Sequence, residues 1–471
     1  MPCPNPALGV ALGAPARVSA TLVRLLAVFA LLMLEGCAMY NHAYPVDPPS
    51  IHGVDLRVVQ ADDYGSFWDT AVAQKTLDDV EQLSKTQNTL VVLFIHGWHH
   101  NAAPDDDDLL ASAAALVALQ EELSQEKRRA LRNRMTGSSE FRLVGIYVGW
   151  RGRSLPGPLD YLSFWGRKNA AERTGEGDVS EFVLRLQRIF LRANEVDPRD
   201  PTRVRKPFTG LVTIGHSFGA QVLWKTISRE IEEPLAERAP CLADVLDPTL
   251  GAREVPERTP INGLGDLNIL LNPALEAYQY ARVDALSRQL RYPSTQTPQV
   301  IVFSADNDDA RKIWFPLARA ATGPFRPNFR PDYQGPLYGA ALGELASQRT
   351  HVLGLAPPGS LDSLVPEDYD GETKIRNFDF TGDTTFGGIE LKPDVGPPPQ
   401  ASRIAYSPVM VVQTHDKIID GHGGIFLKDF RGFISKYVAY IEGKRLLLRE
   451  EQLRRQSPPQ EHPAREPLCT K

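Results

Sequence analysis

Short, almost wholly apolar runs alternate with longer stretches of helical spacing along most of this chain. Leu90 to Ile95 (LVVLFI), Phe141 to Val148 (FRLVGIYV), Leu211 to Ile214, Asp266 to Leu271 (DLNILL), Gln299 to Phe303 (QVIVF) and Val409 to Gln413 read as buried strands. Between and after them, Asp105 to Gln125, Val179 to Ala193, Ala220 to Ile231, Glu276 to Leu290 and Phe426 to Arg449 read as helices. Strands that are apolar throughout, rather than alternating, are those covered on both faces. Their alternation with helices predicts an α/β fold: a mostly parallel central sheet flanked by helices, with right-handed crossovers.

Two stretches break the rhythm. Residues 151–178 follow a strand with glycines, prolines and large apolar residues, among them Leu159, Tyr161, Phe164 and Trp165. Residues 326–400 are longer and rich in Pro, Gly, Tyr and Phe. Segments this long inside a domain are usually lids or binding loops, so both are expected to be insertions in a single domain over 51–450. The polar tail, 451–471, offers nothing to pack and is expected to be disordered.

Composition adds limits. With 471 residues, 42% hydrophobic and 23% charged, the chain is long enough for a sizeable core. A net charge of −6 gives no electrostatic case for nucleic acid as a partner.

The N-terminus has another character. Arg17 and Arg24 precede the apolar run Leu25 to Leu34, which is too short for a stable membrane span and reads as a secretory signal over 1–36. It ends in Leu34-Glu35-Gly36-Cys37, which resembles the bacterial lipoprotein lipobox, although Glu35 stands where that pattern has a small uncharged residue. The resemblance implies lipidation of Cys37, a polar tether over 37–50 and anchoring to a membrane through the lipid. Ala38, rather than Asp, after the cysteine implies the outer membrane, with the protein facing the periplasm. Cys241 and Cys469, far apart in sequence, read as free thiols.

Candidate chemistry centres on Gly215-His216-Ser217-Phe218-Gly219. The pattern is common by chance, so its surroundings decide. A nucleophile elbow needs a strand before the first glycine and a helix after the second. Both are predicted here, with Gly215 and Gly219 at the positions where the turn is too tight for a Cβ. Upstream, Leu90 to Ile95 runs into His96-Gly97-Trp98. At this point the chain resembles the α/β-hydrolase fold family, over roughly Leu90 to Arg449. That resemblance implies an oxyanion hole from the backbone N–H groups of Trp98 and Phe218. His96, Gly97, Gly215, His216 and Gly219 would shape the pocket around it.

The family's order of serine, acid, histidine implies an acid after QVIVF and a histidine before the last helix. The acid is Asp308, with Asp306 as the alternative; the base is His422, in a Gly-rich loop, with His415 as the alternative. The imidazole would take the serine proton and return it to the leaving group, while the carboxylate fixes its tautomer.

The expected function is cleavage of a carboxylic ester, with an apolar acyl or aryl group, through an acyl-enzyme on Ser217. Thioesterase and amidase activity fit the same residues, and a non-catalytic binding or scaffold lipoprotein is the alternative of another class. No cofactor is expected. His96, His99 and His100 beside Asp105 to Asp108 lack a His-Glu-x-x-His spacing, and the aspartates suit a helix N-terminus, so no metal is expected. Trp150-Arg151-Gly152 reads either as pocket lining or as core, and Asn272-Pro273-Ala274 either as a ligand-facing strand end or as a simple turn.

Overall fold

The computed structural model describes residues 41–45, 54–155, 157, 160, 163–195, 206–239, 253–255, 260–316, 331–395 and 404–455. A two-stranded sheet pairs Arg253–Glu254 with Leu290–Arg291, and the strands of the main sheet are β1 (Asp55–Gln60), β2 (Asn88–Ile95), β3 (Phe141–Gly149), β4 (Thr209–His216) and β5 (Leu267–Leu271). They continue with β6 (Val300–Ala305), β7 (His351–Leu355), β8 (Thr384–Phe386), β9 (Ile389–Pro393) and β10 (Val409–Thr414). All ten lie in one sheet, in the order β1-β3-β2-β4-β5-β6-β10-β7-β9-β8. From β1 to β7 every neighbouring pair is parallel; β9 and β8 close the far edge antiparallel.

The larger helices are α1 (Thr70–Thr86), α2 (Asp107–Leu123), α3 (Glu126–Thr136), α4 (Phe164–Thr174), α5 (Asp178–Asn194), α6 (Phe218–Arg238), α7 (Ala277–Ser287) and α8 (Lys428–Arg455). They cover the sheet on both sides, which explains the unbroken apolar runs. In β2, Leu90, Val92 and Phe94 face a core shared with α2, α3 and α8. Val91, Leu93 and Ile95 face the opposite core, shared with α1, α4, α5, α6 and α7. The fold is α/β, as the pattern predicts, with a mostly parallel mixed sheet. Among the described residues no helix is long and apolar enough to cross a membrane.

Two expectations need adjustment. Residues 351–393 of the longer expected insertion form β7, β8 and β9, so this part extends the sheet instead of looping out. These strands are short and carry Gly, Thr and Pro, which hides them from an apolar pattern. The expected tail begins later, because α8 runs to Arg455; Glu451 is held by Arg376 Nη1 at 3.1 Å. Within the expected tether, Tyr44 exchanges two 2.8 Å hydrogen bonds with the Gln60 side chain at the end of β1. The signal segment, Cys37, Cys241 and Cys469 lie outside the described residues.

Candidate active site

A parallel sheet brings the carboxyl ends of its strands to one edge, and the loops beyond that edge are where ligands bind. The candidate triad, its alternatives and the loops beside them follow such ends: His96-Gly97-Trp98 after β2, Ser217 after β4, Asn272 after β5, Asp306 and Asp308 after β6, and His415 and His422 after β10. The order β2-β4-β5-β6-β10 makes these five strands consecutive neighbours, although their sequence positions span more than three hundred residues.

Ser217 is the turn between β4 and α6, at φ 54° and ψ −119°. A non-glycine residue there costs about 1–3 kcal/mol, which the surroundings must over-determine. The backbone of Ser217 is tied in on both sides: its N–H donates to Leu271 O at 2.9 Å, and its C=O accepts from Ala274 N at 3.1 Å. A serine at the start of a helix ordinarily caps it through its hydroxyl, but Ser217 makes no such bond. Its Oγ is turned instead to His422 Nε2, 2.7 Å away.

The glycines around it are sites of close backbone approach. A Cβ on Gly215 would stand 2.6 Å from Ala220 Cα, and one on Gly97 would stand 2.8 Å from Ser217 Cβ. The tightest is Gly219, where a Cβ would meet Ile95 O at 2.1 Å and His96 O at 2.4 Å. Both atoms are backbone of the β2 end, so neither can swing aside. Gly219→Ala is therefore expected to destabilise the protein by at least ~3 kcal/mol in urea unfolding. A loss under ~1 kcal/mol would mean that α6 and β2 do not meet this closely.

Asp308 and His422 complete a chain with Ser217. His422 Nδ1 donates to Asp308 Oδ2 at 2.7 Å, and Asp308 Oδ1 accepts from the Arg311 N–H at 3.2 Å. Burial pushes the Asp308 carboxyl up, but the His422 hydrogen bond, with the His422 and Arg311 charges, holds it below the usual carboxylate range. Burial lowers the His422 imidazole below its ordinary value against the pull of Asp308. The alternatives pair with each other instead: His415 Nδ1 lies 2.6 Å from Asp306 Oδ2. Neither is hydrogen-bonded to Ser217, and the pair is more open, with side chains 42% and 33% exposed against 30% for His422 and 0% for Asp308.

His96 has a supporting part. Its Nε2 accepts from the Trp150 N–H at 2.9 Å, which leaves Nδ1 to donate to Gly97 O at 2.8 Å. Trp150 Nε1 donates back to His96 O at 2.8 Å, and the two rings stack at 5.7 Å. Burial lowers the His96 pKa to about 4, so the ring stays neutral and clamps the loop that carries Gly97 and Trp98. Trp150 is thus a core residue. Arg151 pairs with Asp63, which also holds Arg167.

Beside the serine stands an apolar wall. Trp98, Phe164 and Phe218 meet with ring centroids 5.3–6.2 Å apart, and Trp98 Nε1 donates to Ser163 Oγ at 3.2 Å. The first residues of α4, within the shorter expected insertion, therefore pack against the proposed oxyanion loop. His99 pairs with Asp160 at 2.7 Å and His100 with Asp106 at 3.2 Å. Asp106 also caps α2, accepting from Asp108 N and Leu109 N. Among the described residues no group of three or more His, Cys, Asp or Glu is arranged to hold a metal ion.

The sequence reading missed the supports of this chain. Asn272 sits at φ 42° and bonds to the loops of both Asp308 and His422, and Asn307 holds Asp420 and the Gly421 N–H at 2.7 and 2.8 Å. His216 reaches the main-chain oxygen of His422, and Asp108 stands behind it. The sequence cues were that Asn272 ends a strand at the carboxyl edge and that His216 lies inside the elbow pattern.

No family model matches the chain, and no curated protein or solved structure was found to be similar to it. The architecture defines an α/β protein, and a fold of this class does not by itself set the chemistry of its site.

Proposed function

We propose that the protein is a serine hydrolase of the α/β-hydrolase type that cleaves carboxylic esters through an acyl-enzyme on Ser217. The observation that carries this reading is the unbroken chain Ser217 Oγ–His422 Nε2 (2.7 Å) and His422 Nδ1–Asp308 Oδ2 (2.7 Å), set on a positive-φ turn between strand and helix. In the first half-reaction His422 Nε2 takes the hydroxyl proton as Ser217 Oγ bonds to the ester carbonyl carbon. The N–H groups of Trp98 and Phe218 bind the resulting oxyanion. Collapse breaks the C–O bond to the alcohol, which leaves with the proton from His422. Water then repeats the sequence on the acyl group and frees the acid and Ser217.

The wall of Trp98, Phe164 and Phe218 supports an apolar acyl or aryl group on the substrate. The lipobox-like Leu34 to Cys37 supports attachment through a lipidated Cys37 to the outer membrane, facing the periplasm.

The test is purified protein against p-nitrophenyl esters of graded acyl length, with a fluorophosphonate probe and mass mapping of the label. Turnover and a single adduct on Ser217 are expected. The base works only when neutral, and His422 titrates below its ordinary value. Accordingly kcat/KM should stay high at neutral pH and fall only as pH drops through an apparent pKa below 6.5. A protein that takes no label and turns over no ester of the panel would sink the reading.

A further inference from the structure

The imidazole of His422 hangs from a loop with little stiffness of its own, between Gly421 at φ +65° and the pair Gly423-Gly424. Its orientation must be supplied from outside, and two side chains supply it at one atom. The main-chain oxygen of His422 accepts from Asn272 Nδ2 at 2.9 Å and from His216 Nε2 at 3.0 Å. A carbonyl oxygen has two lone pairs, so both are engaged and the peptide that carries the imidazole is pinned.

Asn272 reaches further. Its Nδ2 also donates to Gly421 O at 3.1 Å, while its Oδ1 accepts from Ala305 N at 2.8 Å and Arg311 Nη1 at 3.2 Å. Both protons and both lone pairs of this fully buried amide are used. Turning the amide over would set its oxygen against two carbonyls, so one orientation alone satisfies the network. Its partners lie on both sides of the acid–base pair: 421–422 carry the imidazole, and Ala305 and Arg311 flank Asp308. His216 is backed in turn by Asp108, whose Oδ2 stands 3.5 Å from Nδ1.

We propose that Asn272 and His216 are positioning residues, which hold His422 by its main-chain oxygen in line with Ser217 and Asp308. The kinetic part of this proposal rests on the ester-hydrolase reading. Asn272→Asp preserves size and tolerates the left-handed backbone, but it turns a carboxylate oxygen toward two carbonyl oxygens. A displacement of ~1 Å at such a site costs about 100-fold in rate. Asn272→Asp is thus expected to lower kcat about 100-fold, with KM within about twofold of the parent. His216→Gln keeps a donor near the place of Nε2 and should stay within about threefold of the parent, whereas His216→Leu should lose ten-fold or more.

A second readout does not need turnover. The His422 Nδ1 proton, in its bond to Asp308, should give a far-downfield NMR resonance, assigned by its loss in His422→Gln. That resonance should persist in the parent and in His216→Gln, and shift or vanish in Asn272→Asp. Should Asn272→Asp not fold, Asn272→Gly keeps the backbone, removes the amide and carries the same expectations. Parental kcat and an unmoved resonance in the Asn272 variants would overturn the proposal, as would a lower Tm with unchanged kcat per folded molecule. Equal losses in His216→Gln and His216→Leu would remove His216 from it. If the parent hydrolyses no ester, the hydrolase reading fails while the resonance series still decides the positioning.

Discussion

Ser217→Ala is expected to lower kcat on any ester the parent accepts by about 10⁶-fold, and to abolish fluorophosphonate labelling. The size follows from the geometry. Ser217 Oγ is the atom in contact with His422 Nε2, and the substitution removes that atom alone. Strand, turn and helix should stay, because the bonds that fix the turn are main-chain: Ser217 N to Leu271 O and Ala274 N to Ser217 O. The alanine protein should therefore melt close to the parent in a calorimetric scan. Retained turnover or labelling would move the chemistry away from Ser217.

The second large effect separates the two acid–base pairs. Asp308→Asn is nearly the same shape, but an amide at that place presents a donor to a ring nitrogen that itself donates. Relief comes if the imidazole shifts its proton to Nε2, where it can no longer accept from Ser217. The expected loss in kcat is about 10⁴-fold. Asp306→Asn breaks only the bond to His415, at 2.6 Å on a more open surface, and should change kcat by less than about threefold. Steady-state kinetics of the two variants side by side decide between them. A reversed pattern would assign the base to His415.

Much of this could be read from the residues, and the failures have physical causes. Strands β2 to β6 and β10 were legible because both faces are buried, so most of their positions are apolar. The elbow was legible because strand, glycines and helix coincide within fifteen residues. Helix α1 was not, because its buried stripe runs Ala73, Thr76, Leu77, Val80, Ser84 and mixes hydroxyls with aliphatics. Helix α3 hides for a different reason: it buries Arg128 and Arg132, whose guanidinium groups lie over the rings of Tyr440 and Phe141. A pattern of arginines looks like a solvated face. Choosing between Asp306 and Asp308, and between His415 and His422, depended on a resemblance, since nothing local distinguishes two acids two residues apart. The clamp on His422 was beyond reach, because it joins side chains at the ends of β4 and β5 to a carbonyl 206 and 150 residues away.

The strand order has a consequence in time. Ser217 and the Trp98 loop belong to neighbouring strands in the first half of the chain, whereas Asp308 and His422 join only when β6 and β10 pair. Contacts between such distant segments close late, after the entropy of the long intervening loops has been overcome. The turn at Ser217 needs only β4, β5 and α6, so it can form before His422 is brought beside it. A partly folded chain would thus hold Ser217 without its partner, and docking of the last strand and helix would complete the Ser217–His422–Asp308 chain.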